Sequence, residues 1–381
     1  MTQKSTVLVF TTAYRPLVGG SEIALEEIIR RLPNIFFDIL TPKYKPELEK
    51  TENFENGRIH RVGFGSPIDK LFFPVFGFIT ALKFRPKSIH AYQASFGAGA
   101  AVIYKTFFPK TRFILTLQEG KKLERQNFFI RHFRNLIIRK ADVITTISHY
   151  LANYAKKINP KVELHIIPNG VDLQQFSISN NRAKPSSGLY GHFQLPIEEK
   201  SWKTIITVSR LVPKNGIGDL IEAVGKMVNG KLMENIKLLI IGDGPLKEGL
   251  KLKAKNLRIE KNIEFLEEIS HELLPKYLSM ADVFVRPSLS EGLGTAFLEA
   301  MAVGLPVIGT AVGGIPDFLK DGQTGLFCKV GDPQDLAEKI KILLTDKELR
   351  TRLIDNSRKL VTEKYDWNKI AARFGEIYNQ L

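Results

Sequence analysis

The sequence predicts an α/β fold of two facing, Rossmann-like, doubly wound domains with a cleft between them, and three observations predict it. Short β-rich runs alternate with longer helical patterns along most of the chain, as in "TVLVFTT" followed by "SEIALEEIIRRL", and this alternation argues for parallel sheets covered by helices on both faces. The 381 residues suffice for two domains of about 150 residues or more, each able to bury a core. Between the two series lies "PNGVDLQQFSISNNRAKPSSGLYGHFQLPIEEKS", rich in Pro, Ser, Asn and Gly and poor in periodic apolar positions, which marks a boundary.

The elements follow in order. "TVLVFTT" reads as a first buried strand. Met1 to Ala13 superficially resembles a secretory leader, but its apolar run is short and β-rich and leads into "YRPLVGGSE" rather than a small-residue cleavage site. A helix with Ile23, Ala24, Ile28 and Ile29 on its apolar positions comes next. Then come "RFILTL" with a basic helical segment after it, and "ADVITTIS" with "HYLANYAKKI". The second series runs "WKTIITVSR", "GDLIEAVGKMV", "IKLLIIGDGP", "LKEGLKLKAKNL", "NIEFLEE", "ELLPKYLSM" and "ADVFVRPS". Residues 1–175 and 201–362 are the two expected domains, with 176–200 connecting them and 363–381 a closing helix. In such sheets ligands collect at the carboxyl ends of the strands.

Composition narrows the class. The chain is 44% hydrophobic and 25% charged, the mix of a folded globular protein rather than a disordered one. Its single cysteine, Cys328, excludes an internal disulfide framework and reads as a small buried thiol, which points to a reducing, cytoplasmic setting. The longest uncharged apolar stretch, Leu71–Leu82, is shorter than the roughly 20 residues of a spanning helix and contains Pro74 and Gly77. A formal charge of +15 implies an anionic counterpart: a phosphorylated substrate, an acidic lipid surface or nucleic acid. No nucleic-acid motif is visible, so no nucleic-acid partner is expected.

Four loops carry candidate chemistry. Gly19 and Gly20 open a helix after the first strand, where glycines admit close backbone approach and a helix N-terminus offers N–H groups to an anion. They do not match G-x-G-x-x-G, which disfavours a dinucleotide cofactor. In the second half Gly242 and Gly244 follow "IKLLI", with Pro245 suited to the first turn of the next helix. "SRLVPKNG" sets Arg210 and Lys214 just past a strand, where cations can grip phosphate oxygens, each such bond contributing about 1.5–3 kcal/mol.

The fourth loop is "PSLSEGLGTAFLEAMA". Glu291 and Gly292 sit in a loop, and a helix starts near Gly294 and Thr295, so its unpaired N–H groups and positive dipole end suit a pyrophosphate. Glu291 and Glu299 are eight residues apart, which in a helix would cover about 12 Å. Paired glycosidase carboxylates stand closer, at about 5–9.5 Å, so the wider spacing suits holding two ends of an extended ligand. One glutamate would take a sugar and the other a ribose.

Taken together, the run from Trp202 to Asp332, "PNGVD" at the boundary, "GGSE" near the start and "YDWNKIAARFGEIY" at the end resemble the retaining glycosyltransferases of family 4, which carry a glycosyltransferase group 1 domain on the GT-B fold. The resemblance covers nearly the whole chain. It implies that residues 1–175 bind the acceptor, that 201–362 bind a nucleoside diphosphate sugar, and that the last helix crosses back onto the first domain. It further implies that Glu299 binds the ribose hydroxyls and Glu291 the donor hexose. Arg210 and Lys214 would neutralise the diphosphate, aided by backbone at Gly292, Leu293, Gly294, Thr295 and Ala296. Ile269, Ser270 and His271 would lie along the base, and Gly19 and Gly20 would approach the phosphates. Members transfer the sugar by same-face displacement, the leaving phosphate taking the acceptor proton, without a nucleophile. No D-x-D is present, so neither metal nor cofactor is expected.

This chain departs from the pattern twice. Many members have a histidine after the strand matching "RFILTL", where this chain has Gln118, which hydrogen-bonds but does not titrate. Many place the lysine directly before the glycine, where this chain has Asn215 with Lys214 one residue earlier. On the acceptor side, Lys121–Lys140 holds seven Lys and Arg and one Glu among aromatic residues. With Leu71–Leu82 it suggests an interfacial patch, hence a lipid-linked acceptor at an anionic membrane surface. The competing readings are an epimerase or hydrolase of nucleotide sugars and a weakly catalytic sugar-nucleotide-binding protein; the base, sugar and acceptor are open.

Overall fold

The computed structural model describes residues 5–17, 19–120, 127–176, 202–233, 235–267 and 269–380. Residues 177–200 of the expected connection and 121–126 of the basic segment lie outside them. Two compact units result: Met1–Gly170 with Trp367–Leu381, and Val171–Asp366.

The first unit runs β1 (Ser5–Phe10), α1 (Gly20–Arg30), β2 (Ile35–Pro42), β3 (Thr51–Phe54), β4 (Gly57–Val62), α2 (Asp69–Ala81), β5 (Ser88–Tyr92), α3 (Phe96–Phe107), β6 (Arg112–Leu117), α4 (Phe128–Lys140), β7 (Val143–Thr146), α5 (His149–Ile158) and β8 (Glu163–Ile166). Its sheet order is β3-β4-β2-β1-β5-β6-β7-β8. Only the β3–β4 pair is antiparallel. The order reverses direction at β1, with β2 on one side and β5 on the other, which makes the carboxyl end of β1 the switch point where ligands collect.

The closing helix, α14 (Trp367–Asn379), joins the core of this unit. Its Trp367, Ile370, Phe374 and Tyr378 are buried with Phe37, Ile39 and Tyr92. A polar chain pins it: His90 Nδ1 lies 2.7 Å from Tyr378 Oη and its Nε2 lies 2.7 Å from Thr116 Oγ1. Burial lowers the His90 pKa to about 3, so the ring is neutral and can accept one bond while donating the other.

The second unit runs α6 (Leu173–Phe176), β9 (Lys203–Val208), α7 (Ile217–Asn229), β10 (Ile236–Ile241), α8 (Lys247–Asn256), β11 (Ile263–Leu266), α9 (Leu274–Ser279), β12 (Val283–Val285), α10 (Thr295–Ala302), β13 (Val307–Thr310), α11 (Ile315–Phe318), β14 (Leu326–Cys328), α12 (Pro333–Thr345) and α13 (Lys347–Lys364). The sheet is parallel, in the order β11-β10-β9-β12-β13-β14. Its strands are apolar on both faces, as helix-covered parallel strands must be: Ile205, Ile206, Leu238, Leu239, Ile240, Val283 and Phe284 are fully buried. Val171 N–H bonds to Tyr365 O at 2.7 Å, so the chain passes into this unit at Val171 rather than after residue 175.

Other expectations shift in detail. Pro245 lies in a turn before α8, whose first residue is Lys247, because Leu246 N–H bonds to Leu211 O at 3.1 Å and holds the turn open. Pro74 and Gly77 do not interrupt their stretch, since both lie inside α2. Gly77 brings α2 against α3: a Cβ there would stand 3.0 Å from Ala100 Cβ. Cys328 is a free, buried thiol, pushed up to about 12 by burial.

Candidate active site

The second unit's switch point lies between β9 and β12, and the loops after these two strands converge there. Gly216 lets them meet. It has φ of +68°, and a Cβ on it would fall 2.0 Å from Pro287 O, so a side chain would drive the loops apart. Leu289 N–H then bonds to Lys214 O at 2.7 Å, which sets Lys214 beside the Glu291 loop. Lys214 Nζ is 3.6 Å from Glu291 Oε1.

That distance places the shifted lysine beside Glu291. Asn215 is buried and donates from Nδ2 to Arg210 O at 2.7 Å. It serves as a clamp inside the short turn, while the Lys214 amine stands beside Glu291. Arg210 itself is exposed, at the mouth of the same loop.

Glu291 is buried, and Arg286, at the end of β12, holds it. The Arg286 guanidinium pairs with Glu291 Oε2 through Nη2, with Ser288 Oγ at 3.2 Å through Nε and with Val208 O at 3.4 Å through Nη1. Gly292 N–H bonds to Glu291 Oε1 at 3.0 Å. Burial lowers the Arg286 pKa to about 10, opposed by the charge of Glu299, and the group stays cationic at neutral pH. Sequence reading passed over Arg286. The signal was a lone cation closing the apolar strand "VFV", which is costly unless paired.

Helix α10 begins just beyond. Its N-cap, Gly294, has φ of +99°, and no side chain caps the helix. The first N–H groups at Thr295 and Ala296 are therefore the orphans of a helix start, at its positive dipole end. Glu299 stands in the second turn, buried, with Oε1 2.9 Å from His271 Nε2. Gln175 donates to His271 O at 2.7 Å, and the Phe176 ring centroid lies 5.2 Å from that of the imidazole. Ile269 and Ser270 precede His271, and Ser270 O accepts the Leu273 N–H at 3.0 Å. One edge of the site is thus tied to Glu299 through His271. Gly242 and Gly244 line the next strand end, where added Cβ atoms would meet Ser209 O at 2.1 Å and Leu211 O at 2.5 Å. Their first role is loop packing.

In the first unit, Gly19 caps α1, but its N–H bonds to Glu22 Oε2 at 2.9 Å. Gly20 has nothing within 4 Å of where a Cβ would stand. Gln118 follows β6, and its Oε1 accepts from Asn169 Nδ2 at 3.4 Å. Its neighbour Glu119 was missed. Ala94 N–H donates to Glu119 Oε1 at 2.8 Å, while Oε2 is buried without a hydrogen-bond partner among the described residues. Burial raises the Glu119 pKa, with the Ala94 N–H and the charge of Arg134 opposing.

An open helix start with a lysine and a buried arginine at the neighbouring loop and a second-turn carboxylate is an arrangement suited to a pyrophosphate. Residues 18–175 match the glycosyltransferase family 4 domain and residues 192–360 match the glycosyl transferases group 1 domain. The chain belongs to the group 1 glycosyltransferases of family 4. This glycosyltransferase is 32% identical over 243 residues to N-acetyl-alpha-D-glucosaminyl L-malate synthase of Bacillus anthracis, a match covering 63% of this chain and 60% of that one. It is 29% identical over 382 residues to an uncharacterized glycosyltransferase of Methanocaldococcus jannaschii, covering 97% of this chain and 96% of the other. Among solved structures, sucrose-phosphate synthase from Thermosynechococcus elongatus superposes with a TM-score of 0.83 at 22% identity, over 99% of each chain. The fold is GT-B.

Proposed function

We propose that the chain transfers a hexose from a nucleoside diphosphate sugar to a hydroxyl acceptor with retention of anomeric configuration. The observation that carries this reading is the uncapped start of α10 at Gly294, with Lys214 and Arg286 gathered around Glu291 on one side and Glu299 in the second turn on the other. A diphosphate over Thr295 and Ala296 would meet N–H groups and the Lys214 amine, with Arg210 at the loop's outer edge. Glu299 would accept bonds from ribose hydroxyls in place of His271. Glu291, held by Arg286, would face the donor sugar.

In this scheme the bond from C1 to the leaving phosphate breaks and the bond from the acceptor oxygen to C1 forms on the same face. The acceptor proton passes to the departing phosphate. The chain's own cations stabilise the charge that develops there, and its loops hold the reacting atoms together. Gln118 and Asn169 would position groups by hydrogen bonding without titrating. No cofactor enters the scheme, and the protein would act at the cytoplasmic side.

The test is a panel of UDP, GDP and ADP sugars offered with simple alcohol and glycoside acceptors. Release of nucleoside diphosphate and an axial or equatorial product matching its donor by NMR is the expected result. A product of inverted configuration would refute retention, and a folded protein that neither binds nor turns over any donor would refute the whole reading.

A further inference from the structure

Helix α2 is apolar on the wrong side. Its inward face is filled by Phe73, Gly77 and Ala81, all buried. A soluble helix then turns a polar face to water. Here Ile68, Phe72, Val75, Ile79 and Leu82 are all exposed, the first four by about half. Their spacings of 4, 3, 4 and 3 residues place them in one stripe, about 20 Å long at the helical rise.

The stripe is continuous with apolar surface on its neighbours. Phe64, before α2, is 80% exposed, and its ring meets that of Phe76 at 5.6 Å. Phe107, at the end of α3, is 67% exposed and stacks on Phe78 at 5.3 Å. At the start of α4, Phe128 and Phe129 are 64% and 78% exposed. The three helices are packed as one layer: a Cβ on Gly99 of α3 would stand 3.1 Å from both Pro74 of α2 and Phe133 of α4. Contiguous apolar surface on this scale marks a contact site.

Charge selects the occupant. Residues 64–87, 96–110 and 127–140 carry ten Lys and Arg and one acid, Asp69. Asp69 is fully buried, accepting from Gly65 N–H at 2.8 Å and Ser66 N–H at 3.1 Å. Lys70, Lys83, Arg85, Lys87, Arg131 and Arg139 are exposed, so the rim of the apolar face is cationic. The 4-3-4-3 stripe would also suit pairing with a second copy of α2, but that would set cation against cation with no acid to relieve them.

We infer that this face docks on an anionic bilayer, the aromatic and aliphatic side chains entering the acyl boundary and the lysines and arginines meeting the headgroups. The protein lies on the surface; none of its described helices is long and apolar enough to cross a membrane. A consequence, which rests on the transfer reading, is that the acceptor hydroxyl belongs to a lipid or a lipid-linked saccharide. The docking itself does not depend on that reading.

The full chain is sedimented with vesicles of equimolar phosphatidylglycerol and phosphatidylcholine, and with phosphatidylcholine alone. Wild type is expected to partition onto the anionic vesicles and to be released by high salt. The double variant Phe72→Asp/Ile79→Asp should lower partitioning by at least about tenfold, and Phe128→Ser/Phe129→Ser should lower it independently. Circular dichroism and a thermal shift with donor nucleotide show whether each variant is folded, and separate failure of docking from failure of the transfer reading. Wild type that ignores anionic vesicles overturns the proposal, as do both folded variants partitioning like wild type. Concentration-dependent dimerisation that the α2 variant abolishes, without vesicle binding, would assign the face to a second copy instead.

Discussion

Two of the glycine-capped helix starts, those of α1 and α10, look alike in sequence and differ in structure. "GGSE" and "EGLGT" each follow a parallel strand, each opens a helix, and each pairs glycine with glutamate. At α1 the glutamate comes three residues after the N-cap, and Glu22 folds back onto the Gly19 N–H. At α10 the glutamate comes three residues before it. Glu291 is drawn away by Arg286 and Lys214, and no side chain caps Gly294. The position of one carboxylate relative to the cap decides whether a helix start is occupied by its own chain or open to a phosphate.

The comparison breaks most visibly at Arg286. Arg286→Ala leaves Glu291 buried beside a partly exposed lysine, and should cost about 3–5 kcal/mol of unfolding free energy by denaturant titration. A loss near zero would mean that Glu291 is not held as described. Next in size is Glu299→Ala, expected to weaken donor nucleotide binding about tenfold to a hundredfold by calorimetry. Its counterpart Glu22→Ala should change that affinity by less than about threefold while costing about 1 kcal/mol of stability through the lost cap. Equal effects of the two on donor affinity would erase the distinction between the helix starts.

Gly294→Ala sharpens the geometry. The positive φ costs a non-glycine residue about 1–2 kcal/mol, and the new Cβ would stand 3.0 Å from the Phe297 ring, so both stability and donor affinity should fall. The smallest expected change is a gain. Because burial raises the Glu119 pKa, the native chain binds a proton there more readily than the unfolded one, and wild-type stability declines as pH rises out of the ordinary carboxyl range. Glu119→Gln should therefore stabilise the fold at neutral pH by about 1 kcal/mol, and the gain should vanish in acid, where the wild-type carboxyl is protonated in both states. A gain that persists in acid would place its cause elsewhere.

The strand and helix alternation made the fold readable because buried parallel strands such as "IKLLII" have few other places to go. The boundaries of α5 and α10 could be read from their caps: Ser148 accepts from Leu151 N–H at 3.4 Å, and Gly294 stands before Thr295. Less accessible was anything set by long-range packing. Arg286 gains its meaning from Glu291 and Val208, and Glu119 from Ala94 in the turn that follows β5. Pro74 and Gly77 looked like helix breakers, yet Gly77 is where α2 closes on α3. The antiparallel β3–β4 pair went unread because the four residues of β3, three of them polar, carry little periodic signal. The occupied state of Gly19 was equally hidden, since a glutamate three residues on can face inward or outward without altering the pattern.

The account rests on the open start of α10 receiving the diphosphate of an activated sugar. The most direct measurement is a calorimetric titration of the folded wild-type chain and of Lys214→Ala with the nucleoside diphosphates UDP, GDP and ADP. The account predicts that at least one of them binds wild type and that Lys214→Ala weakens it at least about tenfold. Absence of binding by all three to a folded wild-type sample, or undiminished binding by the variant, would contradict it.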